Sequence, residues 1–150
     1  MKQLVKCLSI FFPLILSAQI KIDDVGDGWK NKVEQAIEVV KQYDSEKYTL
    51  LTENCNHISY SLLPFSTTES KNTILISQKE ILKGNVNDIA AILVHESLHL
   101  YFLKNNIILP ENEEEILCYT YELELLFKIP DVEPWLIDHA KKQIEFYTNP

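Results

Sequence analysis

The chain contains no arginine; all 14 of its basic residues are lysine. Arginine carries the planar fork that grips phosphate in two places, and a lysine-only chain with 22 acidic residues lacks the footprint of a nucleic-acid binder. Nucleic acid is therefore not an expected partner. No polybasic patch is present to hold an anionic membrane surface. The chain also lacks internal repeats, low-complexity tracts and linkers. With 150 residues, 46% of them hydrophobic, it suits one domain around one core. No apolar run reaches the roughly 20 residues that a spanning helix needs. Cysteine is scarce, and Cys7, Cys55 and Cys118 offer no zinc-finger spacing.

The N-terminus is set apart from the rest. MKQLVKCLSIFFPLILSAQ places Lys2 and Lys6 before an apolar stretch from Cys7 to Leu16, followed by Ser17 and Ala18. That is the layout of a secretory signal peptide. The expectation is that residues 1–18 are a leader cut after Ala18, and that the protein is exported, either secreted or periplasmic. It would meet the membrane only transiently. Leu16 fits the minus-three position less well than alanine, and an uncleaved anchor is the alternative. Val5 and Lys6 do not make a lipobox before Cys7. Cleavage would leave 12 lysines against 22 acids, a net charge of −10, which reads as a solvated surface. The two remaining cysteines, Cys55 and Cys118, could pair in an oxidising compartment; two buried free thiols are the alternative.

Hydrophobic periodicity divides residues 19–150. A helix is expected over about 28–43, with Asp27 as its N-cap and Trp29, Val33, Ala36, Ile37, Val40 and Tyr43 on one face. YTLLTE and HISYSLL then alternate as two strands, turning at Asn54-Cys55-Asn56 and ending at Pro64. Ile58, Tyr60 and Leu62 would share a face. STTESKN reads as a loop and TILIS (73–77) as a third strand. Ser77 and Glu80 suggest a capping box on a short helix over 78–83, stopped by Gly84-Asn85. A helix from about 86 to 104 is apolar nearly all round, which marks a core helix. Helices over about 111–128 and 133–147 follow, with Pro130 between them and Pro134 in the last helix's first turn. The fold class expected is α+β, with a small antiparallel sheet packed against the main helices.

The core helix carries VHESLHLYF, residues 94–102. His95, Glu96 and His99 form H-E-x-x-H. Residues four apart lie one turn apart on one helix face, so the two imidazoles can aim at one point. Zinc takes neutral imidazole in tetrahedral geometry. Glu96 is rotated about 100° around the axis from His95. It would stand beside the metal, where a carboxylate can take a proton from the attacking water. The bland alternative is a core helix with two coincidental histidines. Three titratable groups in a buried helix argue against that, because a buried polar group without a partner costs several kcal/mol, roughly 2–7.

A catalytic zinc site needs a third protein ligand and one open position. The next helix opens with ENEEEILCYTYELE. Glu115 shares a face with Cys118, Tyr119 and Glu122, so it is the first choice, with Glu114 second. Glu111, Glu113 and Glu114 suit the acidic first turn that the helix dipole favours. The alternative is that all four are solvated first-turn acids.

His95, Glu96, His99, Glu115 and Cys118 together resemble the gluzincin clan of zinc metallopeptidases, and its minimal single-domain members above all. There, H-E-x-x-H on one helix is followed by a helix bearing Glu, with a small residue three positions on. The resemblance covers roughly residues 71–125. It implies a zincin-like fold, a zinc cofactor, and a sheet-edge strand along which substrate lies extended; TILIS is placed for that role. Many members carry Asp four residues after the ligand Glu, bonded to a ligand histidine. This chain has Tyr119 there, so Tyr119 or Glu122 would orient the histidine instead. Position 105 is Asn, so the third histidine of the metzincins is absent.

Peptide hydrolysis also calls for a group facing the tetrahedral oxyanion. His139, Tyr119, Tyr121, His57 and Tyr60 are the candidates, each of which could equally be a core-edge residue with an ordinary hydrogen bond. The functional expectation is an exported zinc peptidase acting on a peptide or protein. A zinc-binding module without catalysis is the alternative, because the chain leaves little length for a second lobe.

Overall fold

The computed structural model describes residues 20–26 and 28–149. The expected leader and Asp27, the expected N-cap, lie outside them. Strand β1 (Lys21–Ile22) leads to helices α1 (Trp29–Tyr43) and α2 (Ser45–Asn54). Strands β2 (His57–Ser61), β3 (Thr67–Glu69) and β4 (Thr73–Ser77) follow. Helices α3 (Gln78–Lys83), α4 (Val86–Asn105), α5 (Glu111–Leu126) and α6 (Pro134–Thr148) complete the chain. The class is α+β, predominantly helical, with one four-stranded sheet. No helix among the described residues is long and apolar enough to cross a membrane.

The sheet is mixed rather than antiparallel. Its order is β1-β2-β4-β3, with β1, β2 and β4 parallel and only β3 antiparallel to β4. The cause is local. YTLLTE is not a strand but most of α2. Asp44 caps that helix, its carboxylate accepting the Lys47 N–H at 3.1 Å. Its inward stripe is Lys47, Leu51 and Asn54, two of them polar, so apolar periodicity misses it. With helices between β1 and β2, the chain returns to the same end of the sheet and the two strands run parallel.

Two more expectations change with the sheet. TILIS is not at the edge: β4 lies between β2 and β3, with Ile74 and Ile76 fully buried. The edge is β3, inside the STTESKN segment expected as a loop, and a 3-10 turn (Ser70–Asn72) joins it to β4. β2 stops at Ser61, so Leu62 stands 80% exposed instead of sharing the face of Ile58.

The core forms around α4. Ile89, Ala90, Ala91, Leu93, Val94 and Leu100 are each 1% exposed or less, and α1, α2 and α5 all pack on this helix. Asn85 caps its start by accepting the Asp88 N–H at 2.9 Å. Asn106 closes its end in the left-handed conformation (φ 53°) that asparagine tolerates. These caps and neighbours hold α4 in a fixed rotation, which decides what its polar stripe faces.

Candidate metal centre

α5 follows α4 in sequence and packs against it, and the two helices bring together what the linear sequence separates by 15 to 27 residues. His95, Glu96, His99, Glu115, Tyr119, Glu122 and His139 all line one cleft of about 650 Å³. His57, Tyr60 and Tyr121, the other oxyanion candidates, lie elsewhere. His57 Nε2 is 2.9 Å from Asp23, Tyr60 packs edge-on against Trp29, and the Tyr121 ring sits under the Lys47 ammonium, 3.3 Å from its centroid. Cys55 and Cys118 are both buried free thiols, without a bridge.

The two histidines turn their Nε2 atoms toward each other, 3.1 Å apart. His99 is held in that pose from behind: its Nδ1–H donates to Glu114 at 2.6 Å. A proton on Nδ1 leaves the Nε2 lone pair free. Glu114, the second choice as ligand, thus sits behind the histidine rather than at its coordinating face. Behind His95, Glu122 lies 3.4 Å from Nδ1, at an angle that leaves this buried nitrogen without a hydrogen bond. Tyr119 does not reach Nδ1 through its hydroxyl; its ring packs on the His95 ring, centroids 4.4 Å apart.

Glu115 completes the triangle. One oxygen lies 3.5 Å from His95 Nε2 and the other 3.5 Å from His99 Nε2. Donors at about 2.0–2.1 Å around a tetrahedral ion stand about 3.3–3.4 Å apart, so separations of this size suit one ion between the three side chains. Cys118 competes for the role, because its Sγ and one nitrogen of each histidine fall within 4.8 Å of one another. Glu115 is the better donor. It faces the cleft, whereas Cys118 is fully buried and does not line it. Burial and the surrounding Glu115, Glu114, Glu96 and Glu122 carboxylates also push the Cys118 thiol far up, against ionisation.

The electrostatics favour a cation. Burial opposes a charge on His95, but Glu115, Glu122 and Glu96 outweigh it and hold its pKa up to about 9. The same carboxylates that attract a proton there attract a metal ion. Burial pushes Glu115 up, and the two histidines more than reverse this, so its carboxyl is held low and ionised. Glu96 is 7% exposed. Burial, together with Glu115, Glu80 and Glu122, pushes it up to about 7 against the pull of His95. A carboxylate poised there can both take and return a proton.

Sequence reasoning missed Phe65, Trp135 and Tyr147, which also line the cleft. Tyr147 stacks on Tyr119 at 6.1 Å. No periodicity signals them, because Phe65 sits in a loop and the other two on the half-exposed side of α6. Comparisons with protein families, with curated proteins and with solved structures find no match to this chain.

Proposed function

We propose that this protein is an exported zinc-dependent peptidase resembling the gluzincins, with His95, His99 and Glu115 as the metal ligands and Glu96 as the general base. One observation carries the reading. A buried imidazole, His95, and a part-buried one, His99, present their coordinating nitrogens to each other at 3.1 Å, ringed by carboxylates. Two lone pairs at that distance repel unless a proton or a cation lies between them, and the ring of negative charge makes a divalent cation the stronger occupant.

Zinc, when bound, supplies a Lewis acid that polarises the scissile carbonyl. The chain's own residues do the rest. β3 offers an unpaired strand edge beside the cleft, to which an extended peptide can add. Glu96 takes a proton from water as the water oxygen bonds to the carbonyl carbon. It then gives that proton to the amide nitrogen as the C–N bond breaks. Glu114 keeps Nδ1 of His99 protonated and its ring oriented, and Glu122 sets a negative charge 3.4 Å behind Nδ1 of His95. His139 and Tyr119 stand in the cleft as hydrogen-bond donors to the oxyanion.

The test is zinc content with hydrolysis of a broad peptide library. Wild type is expected to hold one zinc per chain and to cleave peptides. Glu96→Gln is expected to keep the zinc and lose at least about 10²–10⁴-fold in rate, the usual worth of a general base. Zinc retained with no cleavage by wild type would favour the non-catalytic module. No zinc in a folded, zinc-supplied sample would overturn both.

A further inference from the structure

The cleft continues past the histidine pair along α4. Asp88, Ile92, His95 and His99 form one stripe of that helix, and all four line the cleft. Asp88 precedes His95 by seven residues, two helical turns, or about 10 Å at 1.5 Å per residue. Glu80, on α3, faces the same end, and the Ser66 hydroxyl just before β3 donates to it. Asp88 is seated over Gly84, where a Cβ would meet its Oδ2 at 2.1 Å.

Among the described side chains, the charges around this end do not balance. Asp88 is faced by Glu80, Glu122 and Glu133, and by one cation, Lys32. The Lys32 ammonium is committed to the carbonyl oxygens of Ile81 and Gly84, at 2.8 and 3.1 Å. Glu133 is held by the Asn85 and Asn87 amides. No described residue donates a hydrogen bond to the Asp88 carboxylate. Burial and the neighbouring carboxylates push its pKa up to about 6, against the pull of Lys32. A second group in the same cleft is also unpartnered. The Glu96 carboxyl, nine-tenths buried, receives no hydrogen bond from any described residue. Among the described residues, Lys79 is the one lysine along the cleft wall, and it is exposed. At the rim stand two half-exposed aromatic side chains, Phe65 and Trp135, 56% and 52% exposed.

We infer that the cleft selects cationic peptides, seating a lysine or arginine side chain of the bound peptide between Glu80 and Asp88 and an apolar side chain against Phe65 or Trp135. An extended chain advances about 3.3 Å per residue, so the basic residue belongs about three residues from the bond held over the histidines. A cleft lined by one sign of charge also focuses its field on an oppositely charged ligand. The inference uses the peptidase reading only to fix the register of the cleaved bond; the charge preference stands on the cleft itself.

The experiment walks one lysine along an otherwise neutral apolar octapeptide, with glutamine and glutamate at the same positions as matched probes. Affinity for the zinc-supplied Glu96→Gln protein is read from the fluorescence of Trp135, Trp29 being buried. At the best position lysine is expected to bind about tenfold tighter than glutamine, with glutamate weaker again and the difference shrinking as salt rises. The Glu80→Gln/Asp88→Asn variant is expected to level the three peptides. Glu34→Gln/Glu38→Gln, an equal change of charge on the exposed side of α1, is expected to keep the preference. Equal binding of the three peptides, no binding, or a preference that survives in Glu80→Gln/Asp88→Asn would overturn the inference. Cleavage of the same peptides by wild type separates the two readings. Cleavage without a lysine preference sinks the cationic subsite alone; a lysine preference in binding without cleavage supports the subsite and sinks the peptidase.

Discussion

Replacing Glu115 by alanine should remove the metal, and replacing Cys118 should not. Glu115 spans both histidines, with an oxygen 3.5 Å from each Nε2. Its loss leaves two imidazoles alone to hold an ion. Glu114 touches only the far side of His99, so Glu114→Ala should weaken zinc about 10–100-fold, the usual worth of a carboxylate behind a ligand histidine. The assay is thermal unfolding with and without zinc. A ligand that binds only the folded state at about 1,000 times its Kd stabilises by about 4 kcal/mol. For a chain of this size each kcal/mol moves Tm by about 2–4 °C, so wild type should gain about 8–16 °C from zinc. Glu114→Ala, weakened by about 1.4–2.7 kcal/mol, should keep part of that gain. Glu115→Ala should gain almost nothing, and Cys118→Ala, after correction for its core cavity, should gain as much as wild type. A zinc shift lost in Cys118→Ala and kept in Glu115→Ala would refute the assignment and make the thiolate the third ligand.

Two further outcomes test the scaffold. Asp44, its side chain 2% exposed, caps α2 and accepts from the Lys128 ammonium at 2.6 Å while facing the buried Lys47, which keeps Glu124; Asp44→Ala should cost about 1–3 kcal/mol in urea melts, through the lost cap and charged hydrogen bond. Burial raises its pKa, but Lys128 and Lys47 more than offset this and hold it below the ordinary value. Its contribution is therefore present above about pH 4 and lost as pH falls through the lowered folded value, and Asp44→Asn should flatten that acid limb. Gly84→Ala should destabilise by about 1–3 kcal/mol, because its Cβ would lie 2.1 Å from Asp88 Oδ2 and 2.6 Å from the Glu80 carbonyl oxygen; unchanged melting would show that α3 shifts freely.

The polar stripe of α4 could be read early because it breaks a rule. Three titratable side chains interrupt a helix that is apolar almost everywhere else, and only a shared partner makes their burial affordable in free-energy terms. The helices with clear caps or apolar stripes were equally readable, and α1 and α4 begin and end close to where the residues place them. α2 was not, because its buried stripe is Lys47 and Asn54 around one leucine, and the burial of Lys47 depends, beside its own cap Asp44, on Glu124 and Tyr121, which arrive from α5. The misread helix carried the sheet error with it: two adjacent strands imply a hairpin, whereas a helix between strands implies a parallel return. β1 has two residues and β3 three, too few for any period to appear.

The part played by Glu114 was hidden for a different reason. In a helix's first turn an acid is already explained by the dipole, so sequence offers no motive to look further. Its position behind His99 is a property of how α5 lies against α4, fixed by the packing of fully buried residues such as Cys118 and Leu125. The same packing closes Glu115 and Glu122 around His95. The helix pair is therefore core and centre at once, and four carboxylates gathered about two imidazoles are a repulsive cluster that the apolar contacts around α4 must hold together. A cation at the histidine pair turns that repulsion into attraction. Metal binding and the stability of the α4–α5 interface should thus be coupled, and loss of zinc should loosen α5 before it loosens the α1–α4 side of the core.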